Sequence, residues 1–118
     1  MSYDIYLVDP LTEETIVLSE PHQFSGGTYA LGGTTEAWLN VTYNYGVPFR
    51  KALGEKGIRS IYGLTGAESV PVLRDAAAKL GDDVDDDYWK ATEGNAKHAL
   101  VQLLGLAMLC PNGVWKGD

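Results

Sequence analysis

The sequence predicts an α+β fold, with a small N-terminal antiparallel sheet of three to four strands packed against two or three C-terminal helices. Three observations point to it. Alternating and β-branched runs are confined to the stretch before Gly46. Sustained apolar stripes at helical spacing follow it. Gly46 and Pro48 mark the change, because proline suits the first turn of a helix, where a missing N–H costs little.

Taken in order, YDIYLV over Tyr3–Val8 alternates Tyr3, Ile5 and Leu7 against Asp4, Tyr6 and Val8, which is a strand with one apolar face. Asp9-Pro10 ends it. TIVL over Thr15–Leu18 is a second strand, expected to pair with the first across the LTEE connection. Gly26-Gly27 and Gly32-Gly33 bracket a possible short strand at 28–31. Trp38–Tyr43 follows as a strand in which Trp38, Asn40 and Thr42 oppose Leu39, Val41 and Tyr43. Phe49, Ala52 and Leu53 form the apolar side of the first helix, and Ile58–Tyr62 reads as a helix end or an extended connector. Thr65–Glu68 has capping-box spacing, but Pro71 favours a start at Ser69, with Gly81 as C-terminal cap. Val70, Leu73, Ala77 and Leu80 supply that helix's stripe. The last helix runs from Glu93 to Leu109, behind Thr92. Its stripe is Ala96, Leu100, Leu103 and Ala107, and its final turns are apolar on nearly every side, as in a central core helix. Pro111-Asn-Gly113 ends it, and Trp115 folds back onto the core.

A length of 118 residues predicts one domain, 1–118, able to bury a core without staples. Cys110 is the one cysteine, so no internal disulfide or multi-cysteine zinc site can form. Its place at the end of an apolar helix predicts a buried, inert thiol. The opening MSYDIYLVDP lacks a basic segment followed by a long apolar run, and no stretch reaches the length of a membrane span, so a cytoplasmic protein without membrane association is expected. A net charge of -7 opposes phosphate backbones and so argues against direct nucleic-acid binding. The same charge suits a basic groove on a partner protein.

No residue pattern declares a catalytic residue, a metal site or a cofactor. Gly26, Gly27, Gly32 and Gly33 fit neither G-x-G-x-x-G nor the phosphate-loop pattern, and they lead into strand-like residues. They are hairpin turns, or else a recognition loop carrying Tyr29. DDVDDD resembles the start of a calcium loop, but a frame from Asp83 puts Tyr88 and Gly94 at positions six and twelve, and a frame from Asp82 puts Val84 at position three. Neither frame works. His22 and His98 form no ligand cluster, and Ser60 and Ser69 have no nucleophile-elbow context.

Two surfaces remain as candidates. Asp82, Asp83, Asp85, Asp86 and Asp87 with Tyr88 and Trp89 would steer a basic protein and supply aromatic anchors, to which Tyr45 could add. Alternatively, Gly26, Gly27, Gly32 and Gly33 with Tyr43, Asn44, Asn95 and His98 would hold a small ligand or nucleotide derivative, with hydrolysis as a possible activity. A homo-oligomeric structural role is the third reading, since exposed aromatics suit self-association too.

The strings GGTYALGGTTEAWLNVTYNY, IYGLTGAESVPVL, DDYWKATEGNAKHAL and PNGVWKGD together resemble a family of short proteins of phages, prophages and bacterial genomes. The resemblance spans nearly the full chain. Small acidic proteins of that origin are often inhibitors or adaptors of host proteins. It therefore implies a stoichiometric protein-binding module in the host cytoplasm, and it implies no activity, cofactor or catalytic residue.

Overall fold

The structure, a computed structural model, describes residues 2–24 and 33–118. Its elements are β1 (Ser2–Val8), β2 (Val17–His22), β3 (Thr34–Glu36), β4 (Trp38–Thr42), α1 (Gly46–Leu53), α2 (Gly66–Ala78), α3 (Glu93–Leu109) and β5 (Val114–Gly117). Short 3₁₀ turns lie at Tyr43–Tyr45 and Gly57–Ile61. The fold is α+β. An antiparallel sheet in the order β4-β1-β5 and a second pair, β2-β3, are accompanied by three helices that follow β4 in the chain.

The alternation of β1 fixes the sheet's two faces. Tyr3 lies opposite Val41, Ile5 opposite Leu39, and Leu7 opposite Trp115. All six are buried and belong to one core with Phe49, Leu73, Leu100 and Leu103. Asp4 and Asn40 face each other on the opposite side, as do Tyr6 and Trp38. There Asp4 Oδ1 accepts from Trp38 Nε1 and from Asn40 Nδ2, each at 3.1 Å. One face is thus apolar and the other a cross-strand polar ladder.

Two expectations about the sheet need correction. TIVL does not form a regular hairpin with β1. Only a single bridge, Val8 to Thr15, joins them, because Ala37 inserts between the strands. Leu7 N–H donates to Ala37 O and Ala37 N–H donates to Ile16 O, both at 2.9 Å. From Val17 onward the chain pairs with β3 instead. The strand expected to reach Tyr43 ends at Thr42, whose side chain caps the 3₁₀ turn that follows. The possible strand at 28–31 lies outside the described residues.

The C-terminal segment adds a strand that the sequence did not announce. Trp115 does pack inward, but as part of β5, beside the middle strand. Its indole Nε1 donates to Ser69 Oγ at 2.7 Å, and Ser69 Oγ donates to Gly66 O at 2.8 Å. The far edge of β5 is also paired. Gly63 N–H reaches Trp115 O and Trp115 N–H reaches Leu64 O, both at 2.9 Å. Gly117 lies against the ring of Tyr62. Among the described residues, Tyr62 Oη is buried without a hydrogen-bond partner.

Helix α2 starts at Gly66, not at Ser69. Thr65 Oγ1 accepts from Glu68 N–H at 3.0 Å, and Glu68 Oε1 accepts from Thr65 N–H at 2.9 Å. This capping box satisfies two orphan donors, and Pro71 falls inside the helix on its exposed side. Two further donors, of Gly66 and Ala67, reach Gly113 O and Pro111 O. That approach requires glycine, since a Cβ on Gly66 would stand 2.3 Å from Cys110 O. The helix ends at Ala78 with Lys79 as cap, so Gly81 is released for another contact.

Helix α3 buries its predicted stripe of Ala96, Leu100, Leu103 and Ala107. Its last turn differs from expectation: Met108 and Leu109 are exposed, so the helix end is half a surface. Cys110 is buried, and burial pushes its thiol pKa up, as expected for an inert thiol. Among the described residues, no helix is long and apolar enough to cross a membrane.

Candidate functional site

The stretch between α2 and α3 carries the acidic and aromatic residues that the sequence singles out. It has no regular secondary structure, and its backbone is held by side chains. Thr92 caps α3, accepting from Asn95 N–H at 3.0 Å. Cap and hub are therefore neighbours. Buried Asn95 accepts from Asp85 N–H at 2.9 Å through Oδ1, and its Nδ2 donates to Asp87 O at 3.1 Å and Lys90 O at 3.0 Å. Three bonds from one side chain fix both limbs of the loop.

The aspartates fold the loop onto itself. Asp85 Oδ1 accepts from Asp87 N–H at 2.8 Å and Asp87 Oδ1 accepts from Trp89 N–H at 3.0 Å, which is Asx-turn geometry. Asp83 Oδ1 accepts from Gly94 N–H, one of the orphan donors of α3. Gly94 is needed here, because a Cβ would stand 2.5 Å from Val84 N. Glu93 closes the near side by accepting from Gly81 N–H and pairing with Lys51. Lys97 pairs with Asp82 and Lys90 with Asp85. These pairs lie in solvent and contribute little by themselves.

Two carboxyls carry this arrangement in their acidity. The Asp87 N–H, then Lys90, holds Asp85 below the ordinary aspartate range. Lys51, then the Gly81 N–H, does the same for Glu93. Among the described residues, no group of three or more His, Cys, Asp or Glu side chains is arranged to hold a metal ion.

The expected aromatic anchors separate into three levels. Tyr45 is fully buried, so it is no surface anchor; its hydroxyl donates to Tyr88 O, and burial drives its phenol pKa far upward. Tyr88 is half-buried, its Oη accepting from Thr42 N–H at 2.7 Å and its ring edge-on to Tyr45. Trp89 is 53% exposed. Its ring lies edge-on to Tyr88 at 5.1 Å, and its carbonyl accepts from Asn44 Nδ2 at 2.8 Å. Asp82, Asp83, Asp86 and Asp87 are exposed around it, and Asp85 is half-buried. The structure thus brings the acidic and aromatic residues into one loop. Several of them also hold that loop's shape.

The alternative ligand site is dispersed over the described residues. Gly26, Gly27 and Gly32, with Tyr29, lie outside them. Gly33, at positive φ, packs against His22 and Gln23. Tyr43 sits edge-on to Tyr3 and donates to Asp118. Asn44 and Asn95 both reach the acidic loop, as anchors of its backbone. His98 is exposed beside Val84 and Val101. His22 is buried: Nδ1 accepts from Phe24 N–H, which leaves Nε2 to donate to Glu36 O at 2.6 Å. It is a structural link between β2 and β3.

Sequence reasoning missed Glu93, Lys51 and Lys97 as neighbours of the loop. Their partners are 12 to 42 residues away, so no local spacing signals them. No family model, curated protein or solved structure matches the chain.

Proposed function

We propose that the chain is a small acidic protein-binding module, of the inhibitor or adaptor kind that phage genomes carry, and that it engages a basic surface on its partner through Asp82–Trp89. One observation carries this reading: an indole that is 53% exposed stands on a loop whose backbone is fixed from several sides. A tryptophan held in place before binding contributes contact area with little ordering cost. Carboxylates around it steer a cationic partner and exclude acidic ones. The cooperating residues are Trp89 as anchor and Asp82, Asp83, Asp86 and Asp87 as steering charges, while Asp85, Tyr88 and Asn95 hold the loop.

The test is affinity capture from a bacterial lysate with tagged protein at low and moderate salt, followed by mass spectrometry and light scattering. One protein captured at fixed stoichiometry, with affinity falling roughly tenfold or more for Trp89→Ala, supports the reading. Asp86→Lys should slow association and flatten the salt dependence. A partner held equally by both variants would remove this loop from the interface.

A further inference from the structure

We propose that the groove between β2 and the C-terminal end of α3 is a second docking surface, which takes an extended peptide segment carrying an aliphatic side chain flanked by lysine or arginine. This inference does not rest on the acidic loop. Leu109 closes α3 and is 54% exposed, beside partly buried Leu18 of β2. These two residues line both of two adjoining depressions, of about 240 Å³ and about 330 Å³. Pro10 and Pro111 wall the first, and Pro21 walls the second. Their fixed φ makes the groove stiff before anything enters it. His22, pinned to Glu36 O, closes the far end.

The charge around this apolar floor selects the occupant. Asp9 borders the first depression and Glu20 the second, and neither is lined by a lysine or arginine. The last turn of α3 carries no basic residue either. An aliphatic side chain between cations would fill the floor and meet both carboxylates. A second copy presenting the same face would set Asp9 and Glu20 against their own counterparts, which disfavours self-pairing here. The groove and Asn95 lie at opposite ends of α3, roughly 20 Å apart at 1.5 Å per residue. Both ends can therefore be occupied at once.

The experiment is titration of ¹⁵N-labelled full chain with a six-residue peptide alternating lysine and leucine. Glutamate–leucine and lysine–serine peptides of the same length serve as controls. Saturable amide shifts at Leu18, Ser19, Glu20, Leu109 and Cys110, produced by the lysine–leucine peptide alone, are expected. Leu109→Ser should weaken this binding roughly tenfold, the loss of one buried anchor. Glu20→Lys, at an exposed position that leaves the fold intact, should weaken it several-fold, and Asp86→Lys should leave it unchanged. The proposal is overturned by equal shifts with lysine–serine peptide, by shifts confined to residues 85–90, or by no shift at millimolar peptide. A wild-type dimer in sedimentation that Leu109→Ser dissociates would also overturn it, by making a second copy the occupant.

Discussion

Two segments flank α3, and they are held by opposite means. The one before it, residues 79–92, is fixed by side chains: Asn95, Asp83, Asp85, Asp87 and Asn44 bond to backbone groups there or at the start of α3. The one after it, residues 110–117, is fixed by its own backbone, laddered to β1 on one side and to Gly63 and Leu64 on the other. It also buries Trp115 in the core. Burial of a large side chain supplies stability, whereas a polar network supplies shape. The first segment can therefore present charge and an exposed ring at its surface, while the second cannot be loosened without loosening the fold.

The largest effect should come from the second segment. Trp115→Ala removes a fully buried indole and strips Ser69 Oγ of its donor. It should cost about 3–5 kcal/mol in denaturant unfolding. A loss below about 1 kcal/mol would mean that the segment is not the structural half of the pair. Next comes the hub of the first segment. Asn95→Ala leaves one part-buried donor and two carbonyls without their partner, which predicts a loss of about 1–3 kcal/mol. Amide exchange at residues 85–90 should accelerate well beyond that in β5. Uniform acceleration across the chain would show that the loop is not a separable unit. Thr92→Ala removes the cap alone and should cost about 1 kcal/mol with the same local signature.

Acid separates the segments further. Glu93 has its folded pKa lowered from the ordinary 4.5, so its contribution is complete above that value and is lost as pH falls through the depressed one. Asp85 behaves alike from 3.8 downward. Between pH 6 and pH 3 the melting temperature of Glu93→Gln should fall less than that of the wild type. Parallel curves would mean that Glu93 is not linked to folding. The smallest effect is predicted at Tyr62→Phe beside β5: removing a buried hydroxyl that has no partner should leave stability unchanged or slightly raised, as read by the same unfolding curves. A clear loss would reveal a bond that the phenol makes in solution.

The contrast also explains what the sequence could tell. Elements written in local periodicity were legible: Tyr3, Ile5 and Leu7 face the core, and so do Ala96, Leu100, Leu103 and Ala107. Which of Tyr45, Tyr88 and Trp89 stands outside was not legible, but the acidic loop was, as composition. Its geometry was not, because Asn95 acts through groups up to ten residues away, and Asn44 through one 45 residues away. Pro71 misled, since a satisfied capping box outweighs one lost hydrogen bond on an exposed helix face. β5 was invisible for a different reason. Four residues, VWKG, carry too little pattern to announce a strand, and their partners lie at Ile5–Val8, at the other end of the sequence.

That last pairing sets a timetable for synthesis. β1 leaves the ribosome well before the strand that completes one of its edges. At a translation rate of about 5–20 residues per second, the hundred-odd intervening residues take roughly 5–20 s to appear. Throughout that interval the edge at Ile5–Val8 must wait without its partner strand. The β1–β5 edge of the sheet is therefore closed after translation of the helices, with Trp115 as the closing piece.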